Sequence, residues 1–220
     1  MNAQAPPLLL LIPPFTLGLL LGCSDGQLAQ SAVDAPCPAG DSDCEAAPTT
    51  APIAAGARYA LEIRPVIVGG MTVAASLRSG DEAVLQVEDG VVRTVAPGVA
   101  AVLAVGDDGA VVDFTHLVVV KADRLSLHRG GGAERDERPL PEHIQVFPDE
   151  ELSLSLRTWF GAQELAGNVD EVWSVDDPAF RIVDQGFPQE RRVRAPAAGT
   201  TTLTIDAVGV QHTLTLEVIP

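Results

Sequence analysis

The chain repeats itself. Leu77 to Gly90 (LRSGDEAVLQVEDG) aligns without a gap on Trp173 to Gly186 (WSVDDPAFRIVDQG) at an offset of 96 residues. Asp81 then meets Asp177, Ala83 meets Ala179, Val87 meets Val183 and Gly90 meets Gly186. Further on, the run from Val92 to Gly98 matches the run from Val193 to Gly199 at an offset of 101. The five-residue difference falls at Phe187 to Arg191, a longer hairpin in the second copy. Upstream, Ile63-Arg64-Pro65 resembles Val146-Phe147-Pro148, and both copies close on β-rich runs, Thr115 to Val120 and Thr213 to Ile219. A duplicated chain has to form one fold twice. Offsets that change only between strands are what variable loops on a shared frame produce.

That frame reads as all-β. Ser153 to Leu156, Thr202 to Ile205 and Thr213 to Val218 alternate polar and apolar residues with period two, the pattern of half-buried antiparallel strands. Turn residues recur every few strands' length, and no stretch after the N-terminal apolar segment offers an amphipathic helix of three turns. The expectation is two tandem immunoglobulin-like β-sandwiches following a signal peptide and a disordered linker. The first spans residues 58–122 and the second 123–220, with a Gly-rich insertion near 130–141. The boundary falls near Lys121; the alternative is that Gly130 to Pro141 is itself the linker, and strand structure at Leu125 and Leu127 distinguishes the two. Trp173 opens a strand and reads as a large core filler between sheets, with Leu77 in its place in the first copy. A sugar-stacking platform is the other use of such a tryptophan. Gly98 and Gly199 precede strands and fit turns closed to residues with a Cβ.

The repeat resembles the bacterial immunoglobulin-like domains of group 2, found in intimin-like and invasin-like surface proteins. The second copy carries that pattern through Trp173, Asp177, Gly186, Ala195, Gly199, Leu203 and Ile205, while the first departs from it in having Leu77 at the tryptophan position. The resemblance implies a β-sandwich with adhesive or spacer duty, an analogy at the level of fold.

The N-terminus reads as an address. Leu8 to Ile12 and Phe15 to Leu21 are apolar but too short to cross a bilayer as a helix, and they end in a small residue as secretory signals do. Leu20-Leu21-Gly22-Cys23 resembles the lipobox of bacterial lipoproteins, which implies cleavage of residues 1–22 and lipidation of Cys23. An ordinary cleaved signal with an incidental cysteine is the alternative. By the sorting preference of that family, Ser24 favours the outer membrane of a Gram-negative cell. Residues 23–57, built largely of Ala, Pro, Ser, Thr, Gly and acids, read as a solvated tether. Within it Cys37 and Cys44, with six residues between them that include Pro38 and Gly40, suit a disulfide in an oxidising compartment better than a metal site, since no histidine lies nearby.

Catalytic chemistry is hard to find. His116, His128, His143 and His212 form no ligand-spaced pair, and no cysteine follows Cys44. No Gly-x-Ser-x-Gly elbow, phosphate loop or dinucleotide fingerprint is present. Asp107, Asp108 and Asp113 are weak calcium candidates, with an acid-rich hairpin turn as the plainer reading. A formal charge of −16 argues against nucleic acid. The sequence therefore predicts a cofactor-free, non-enzymatic envelope lipoprotein, exported and anchored to a membrane by its N-terminal lipid. Its loops and strand edges would bind an envelope or extracellular protein or glycan; a glycan-binding accessory to a separate hydrolase is the alternative.

Overall fold

The computed structural model describes residues 33–34, 51–63, 66–68, 71–130, 138–184, 189–195 and 197–220. The first copy contains β1 (Val33–Asp34), β2 (Ile53–Ala54), β3 (Ala57–Ala60), β4 (Glu62–Ile63), β5 (Val66–Val68), β6 (Met71–Val73) and β7 (Ala75–Ser79). It continues with β8 (Leu85–Glu88), β9 (Val91–Thr94), β10 (Gly98–Gly106) and β11 (Val111–Val120). The second contains β12 (Arg124–Arg129), β13 (His143–Val146), β14 (Glu151–Phe160), β15 (Gln163–Glu164) and β16 (Asn168–Val169). It ends with β17 (Glu171–Val175), β18 (Arg181–Asp184), β19 (Glu190–Arg194), β20 (Gly199–Ala207) and β21 (Val210–Val218). The described residues contain no helix.

Each copy rests on two sheets. In the first they run β2-β11-β10-β7 and β16-β3-β9-β8, where the edge strand β16 comes from the second copy; in the second, β13-β21-β20-β17 and β12-β14-β19-β18. The two sets correspond strand for strand. Leu77 lies opposite Ala104 on β10, and Trp173 lies opposite Ile205 on β20, reproducing both sequence offsets in one pairing. β2 joins β11 in parallel as β13 joins β21. The equivalent aspartates also do the same work: the Asp81 and Asp177 carboxylates accept from the Ala83 and Ala179 amides, at 3.0 and 2.8 Å. Such side-chain-to-backbone bonds fix the turn after β7 and after β17.

Burial follows the period-two pattern. On β20, Thr201, Leu203, Ile205 and Ala207 are buried while Asp206 is exposed; on β14, Leu152, Leu154, Leu156 and Thr158 face inward. Two-residue turns close the tightest hairpins. Asp89-Gly90 and Val208-Gly209 both have positive φ at each residue, as turns matched to the strand twist require. Valine at φ 48° is unusual, because its branched side chain crowds the backbone there. Val208 is held by packing, its Cγ1 lying 3.5 Å from where a Cβ on Gly56 would sit.

Two findings change the picture of the tether. Ile53, Ala54 and Ala57, expected within it, belong to the buried core, with Ile53 only 1% exposed. β1 also pairs with β4, so Val33 and Asp34 take part in a sheet. A two-residue strand is too short to show alternation, which is why neither piece stands out in an Ala- and Pro-rich background. Leu125 and Leu127 both lie in β12, which pairs along its whole length with β14.

The copies are joined by more than the covalent connection at 121–123. The segment Leu165 to Asp170 of the second copy runs along residues 52–58 of the first. β16 adds to β3, placing Asn168 opposite Arg58 and Val169 opposite Ala57. Ala166 N donates to Pro52 O at 2.8 Å and Ala54 N to Ala166 O at 3.1 Å. Arg58 grips both oxygens of Asp170 at 2.9 and 3.1 Å. Leu165 and Val169 are buried here. Gly167 makes the approach possible: it has φ +96°, and a Cβ on it would lie 2.8 Å from Ala57 Cβ and 3.1 Å from Ile53 Cγ2. Gly167→Val should therefore cost about 2–4 kcal/mol through strain and overpacking. Gly109→Ala has positive φ but open space around it, and should cost nearer 1 kcal/mol. Denaturant unfolding of the two variants checks the ranking; equal midpoints would mean the junction is not tightly packed.

Candidate interaction surface

Cys23, Cys37 and Cys44 lie outside the described residues. Asp107 and Asp108 sit in the turn between β10 and β11, where the Asp108 carboxylate accepts from Ala110 N at 2.9 Å and Gly109 takes φ +83°. Asp113 lies on β11 opposite Ala104. Among the described residues no group of three His, Cys, Asp or Glu side chains is placed to hold a metal ion. Leu77 and Trp173 occupy equivalent inward positions, both half-buried against the core.

The surface that sets the two copies apart is the outer face of the β10–β11 hairpin. Its outward cross-strand pairs are Val99 with Val118, Ala101 with His116 and Leu103 with Phe114. Val99 is 61% exposed, Phe114 55% and Val118 42%. The Phe114 and His116 rings meet edge to face at 5.4 Å. Arg78, on β7 beside Leu103, is the exposed cation of this face. At the equivalent positions of β20 and β21 the pairs are Thr200 with Glu217, Thr202 with Thr215 and Thr204 with Thr213. One backbone and one register thus carry an apolar outer row in the first copy and a polar one in the second. Core packing does not ask for either, because both rows face away from the sandwich interior. Three pairs on two strands, with β7 alongside, make a patch of roughly 14 by 20 Å by strand spacing and rise. Its area, roughly 280 Å², approaches that of the largest apolar patch on an ordinary monomer, which is often functional.

The outer face of the other sheet in the second copy is built differently. Arg157, Arg192 and Arg194 are each paired, with Glu164 at 3.2 Å, Glu151 at 2.9 Å and Asp149 at 3.1 Å. Arg124 stacks over the Trp159 ring at 4.7 Å. Trp159 Nε1 donates to Ser126 Oγ at 2.7 Å, and that hydroxyl lies 2.9 Å from His128 Nε2. Ser126 and His128 are both buried, so this chain of polar groups is structural support without access for a substrate.

Trp173 lies beside a buried ion pair. Arg191 and Glu171 meet at 2.9 Å, with 17% and 6% of their side chains exposed. Burial pushes the Glu171 carboxyl above its ordinary 4.5 and outweighs the opposing pull of the Arg191 guanidinium. The Trp173 indole N–H also favours the charged carboxylate, yet Nε1 is buried without a well-formed hydrogen bond. A carboxyl whose native pKa is raised supports folding most below its unfolded value and loses that support as pH climbs through the native one. The stability of the wild type relative to Glu171→Gln should therefore fall as pH rises from below 4.5 toward neutrality, measured by urea unfolding at each pH. Trp173→Ala should cost about 3 kcal/mol and Trp173→Leu, which copies the first sandwich, clearly less. Equal stability of both variants with the parent would show that the indole packs against nothing of consequence.

The sequence did not single out Val99, Leu103, Phe114 or Val118. A signal is present in β11, where Val118, Val119 and Val120 run on without alternation, so that both faces are apolar.

No protein-family model and no curated protein matches the chain. Solved structures with a similar β arrangement include domains 4 and 5 of the S-layer protein SbsC, at 14% identity and TM-score 0.31, covering 67% of this chain and 77% of that one. The Yersinia pseudotuberculosis adhesin InvE matches at 14% identity and TM-score 0.34, over 78% of this chain and 57% of the adhesin. Fibronectin(III)-like modules of Clostridium thermocellum CbhA match at 10% identity and TM-score 0.26, over 84% and 93%. At these identities and TM-scores the likeness carries no argument about fold or activity.

Proposed function

We propose that the chain is a non-catalytic surface module, an exported lipoprotein held to the outer membrane through Cys23, whose two immunoglobulin-like sandwiches present a binding face beyond the lipid. One observation carries the binding role: Val99, Leu103, Phe114 and Val118 stand where the second copy has Thr200, Thr204, Thr213 and Glu217. Leaving these side chains in water forgoes roughly 25 cal/mol for each Å² that a partner would cover. The partner this face suits is a protein surface that is flat, apolar and carries a carboxylate opposite Arg78. No acidic side chain lies among the six paired outward residues, so an acidic partner meets no like charge within this row in spite of the chain's net −16.

Converting the face to the chemistry of its own repeat tests the reading. Val99→Thr, Leu103→Thr and Val118→Thr together should keep the fold, since these positions face outward. Capture of the wild type's partner from envelope extract, quantified against the triple variant, should fall at least tenfold. Undiminished capture would move the binding role elsewhere. Anchoring is tested separately by Cys23→Ala, which should shift the chain from the membrane fraction to the soluble one or leave it uncleaved. Membrane fractionation as wild type, without acyl groups by mass spectrometry, would overturn the anchor.

A further inference from the structure

The first copy's edge along β3 and β4 is put together from two short pieces. Backbone pairing sets the copies in register here, with Val92 and Val193 matched by the 101 offset. Tyr59 stands opposite Val92 as Leu152 does Val193, so Glu62 and Ile63 hold the places of Ser155 and Leu156. Val33 stands opposite Ile63 and Asp34 opposite Glu62. In the second copy Leu127 stands opposite Leu156 and His128 opposite Ser155. β1 is therefore the first copy's counterpart of β12, and Val33 and Asp34 take the register positions of Leu127 and His128.

The two strands hold that place unequally. β12 has six residues, all paired with β14, whereas β1 has two. At the matched position two acids, Asp34 and Glu62, stand directly opposite each other where the second copy has His128 and Ser155. Like charges so placed destabilise a strand pair. The other end of the edge is taken by β16 of the second copy, at Ala57 and Arg58. Between the two pieces, among the described residues, no strand pairs with Tyr59, Ala60 or Leu61 on this side. A weakly covered edge is a template for strand pairing.

We propose that this edge receives an extended, basic strand of a partner protein, which adds along Tyr59 to Ile63 and takes the place of β1. Strand addition draws affinity from main-chain hydrogen bonds and specificity from alternate side chains. The second copy shows what a complete strand in this place contains. β12 reads Arg-Leu-Ser-Leu-His-Arg, with Leu125 and Leu127 buried and no acidic residue. A basic residue at the position of Asp34 would meet the exposed Glu62 as an opposite charge. A chain of net −16 also draws a basic segment in from a distance. A second copy of this chain is a poorer occupant, since its β1 brings Asp34 to the same glutamate and its β12 is already paired. The edge shares no residue with the outer face of β10–β11, so the two surfaces stand or fall separately.

The test uses the full chain, labelled with ¹⁵N, and a synthetic peptide of the β12 sequence, Arg124 to Arg129, capped at both ends. The peptide should produce saturable amide shifts at Tyr59 to Ile63 and at Val33 and Asp34. The amides of β14 should stay unmoved, because β12 already covers them. Glu62→Lys should weaken binding at least tenfold; the residue is exposed, and circular dichroism checks that the fold is kept. Asp34→Arg gives β1 the favourable charge and should also weaken the peptide at least tenfold, by holding β1 in place. A peptide with Leu125→Ser and Leu127→Ser keeps every charge and should bind at least tenfold more weakly than the parent peptide. Shifts that fail to saturate or that fall elsewhere overturn the proposal. Full affinity in Glu62→Lys removes the charge match, and full affinity in Asp34→Arg removes the displacement of β1. Full affinity of the serine peptide reduces the binding to net charge, and each of these three results overturns the proposal as well.

Discussion

The long hairpin in each copy, β10–β11 and β20–β21, is the constraint on which the rest of the structure depends. Each carries an extended inward row, and both flanking strands of the sheet pair against it. Its inward residues, Ala100, Val102, Ala104, Leu117 and Val119 in one case and Leu203, Ile205, Leu214, Leu216 and Val218 in the other, are all buried. A one-residue slip of register would send every one of them into water, so the inner row is closely specified. The outer row has no such duty. Duplication therefore left the inner rows alike in character while the outer rows went separate ways, apolar in the first copy and threonine-rich in the second.

Much of this was legible in the residues. The 96 and 101 offsets marked equivalent strands, and the pairing of Leu77 and Trp173 at one inward position follows from them; within β18 the match slips by one, because backbone pairing sets Val87 level with Ile182 rather than with Val183. The aspartates of the repeat, Asp81 and Asp177, were visible as matched positions, although their role in fixing the turns by accepting amide hydrogens needed coordinates. The outward apolar row was not legible for a physical reason. Period-two patterning tells which residues share a face but not which face meets solvent, and a strand apolar on both sides, such as Val111 to Val120, looks the same as one buried on both. The tether hid Ile53 and Ala54 because two residues are too few to show a period.

The second copy also shows how a filled interior can carry cost. Its indole N–H, an arginine and a glutamate all sit away from water, and the carboxyl is held above its ordinary pKa by that burial. A paired charge in such a place gives little net stability, since desolvation offsets most of the attraction. The first copy avoids that cost, with Ala75 and Leu77 at the positions of Glu171 and Trp173. At this one position the repeats differ in internal chemistry, charged and aromatic in the second copy and aliphatic in the first.

The clasp formed by Leu165 to Asp170 has a consequence for how the chain is made. A ribosome releases residues 52–60 long before residue 170, so during synthesis the first copy exists for a time with the start of β3 unpaired beside its buried neighbours Ile53 and Ala57. An open strand edge is a template for any other chain nearby. The N-terminal half must wait for a piece of the C-terminal half before its sheet is sealed, so neither half can be finished first.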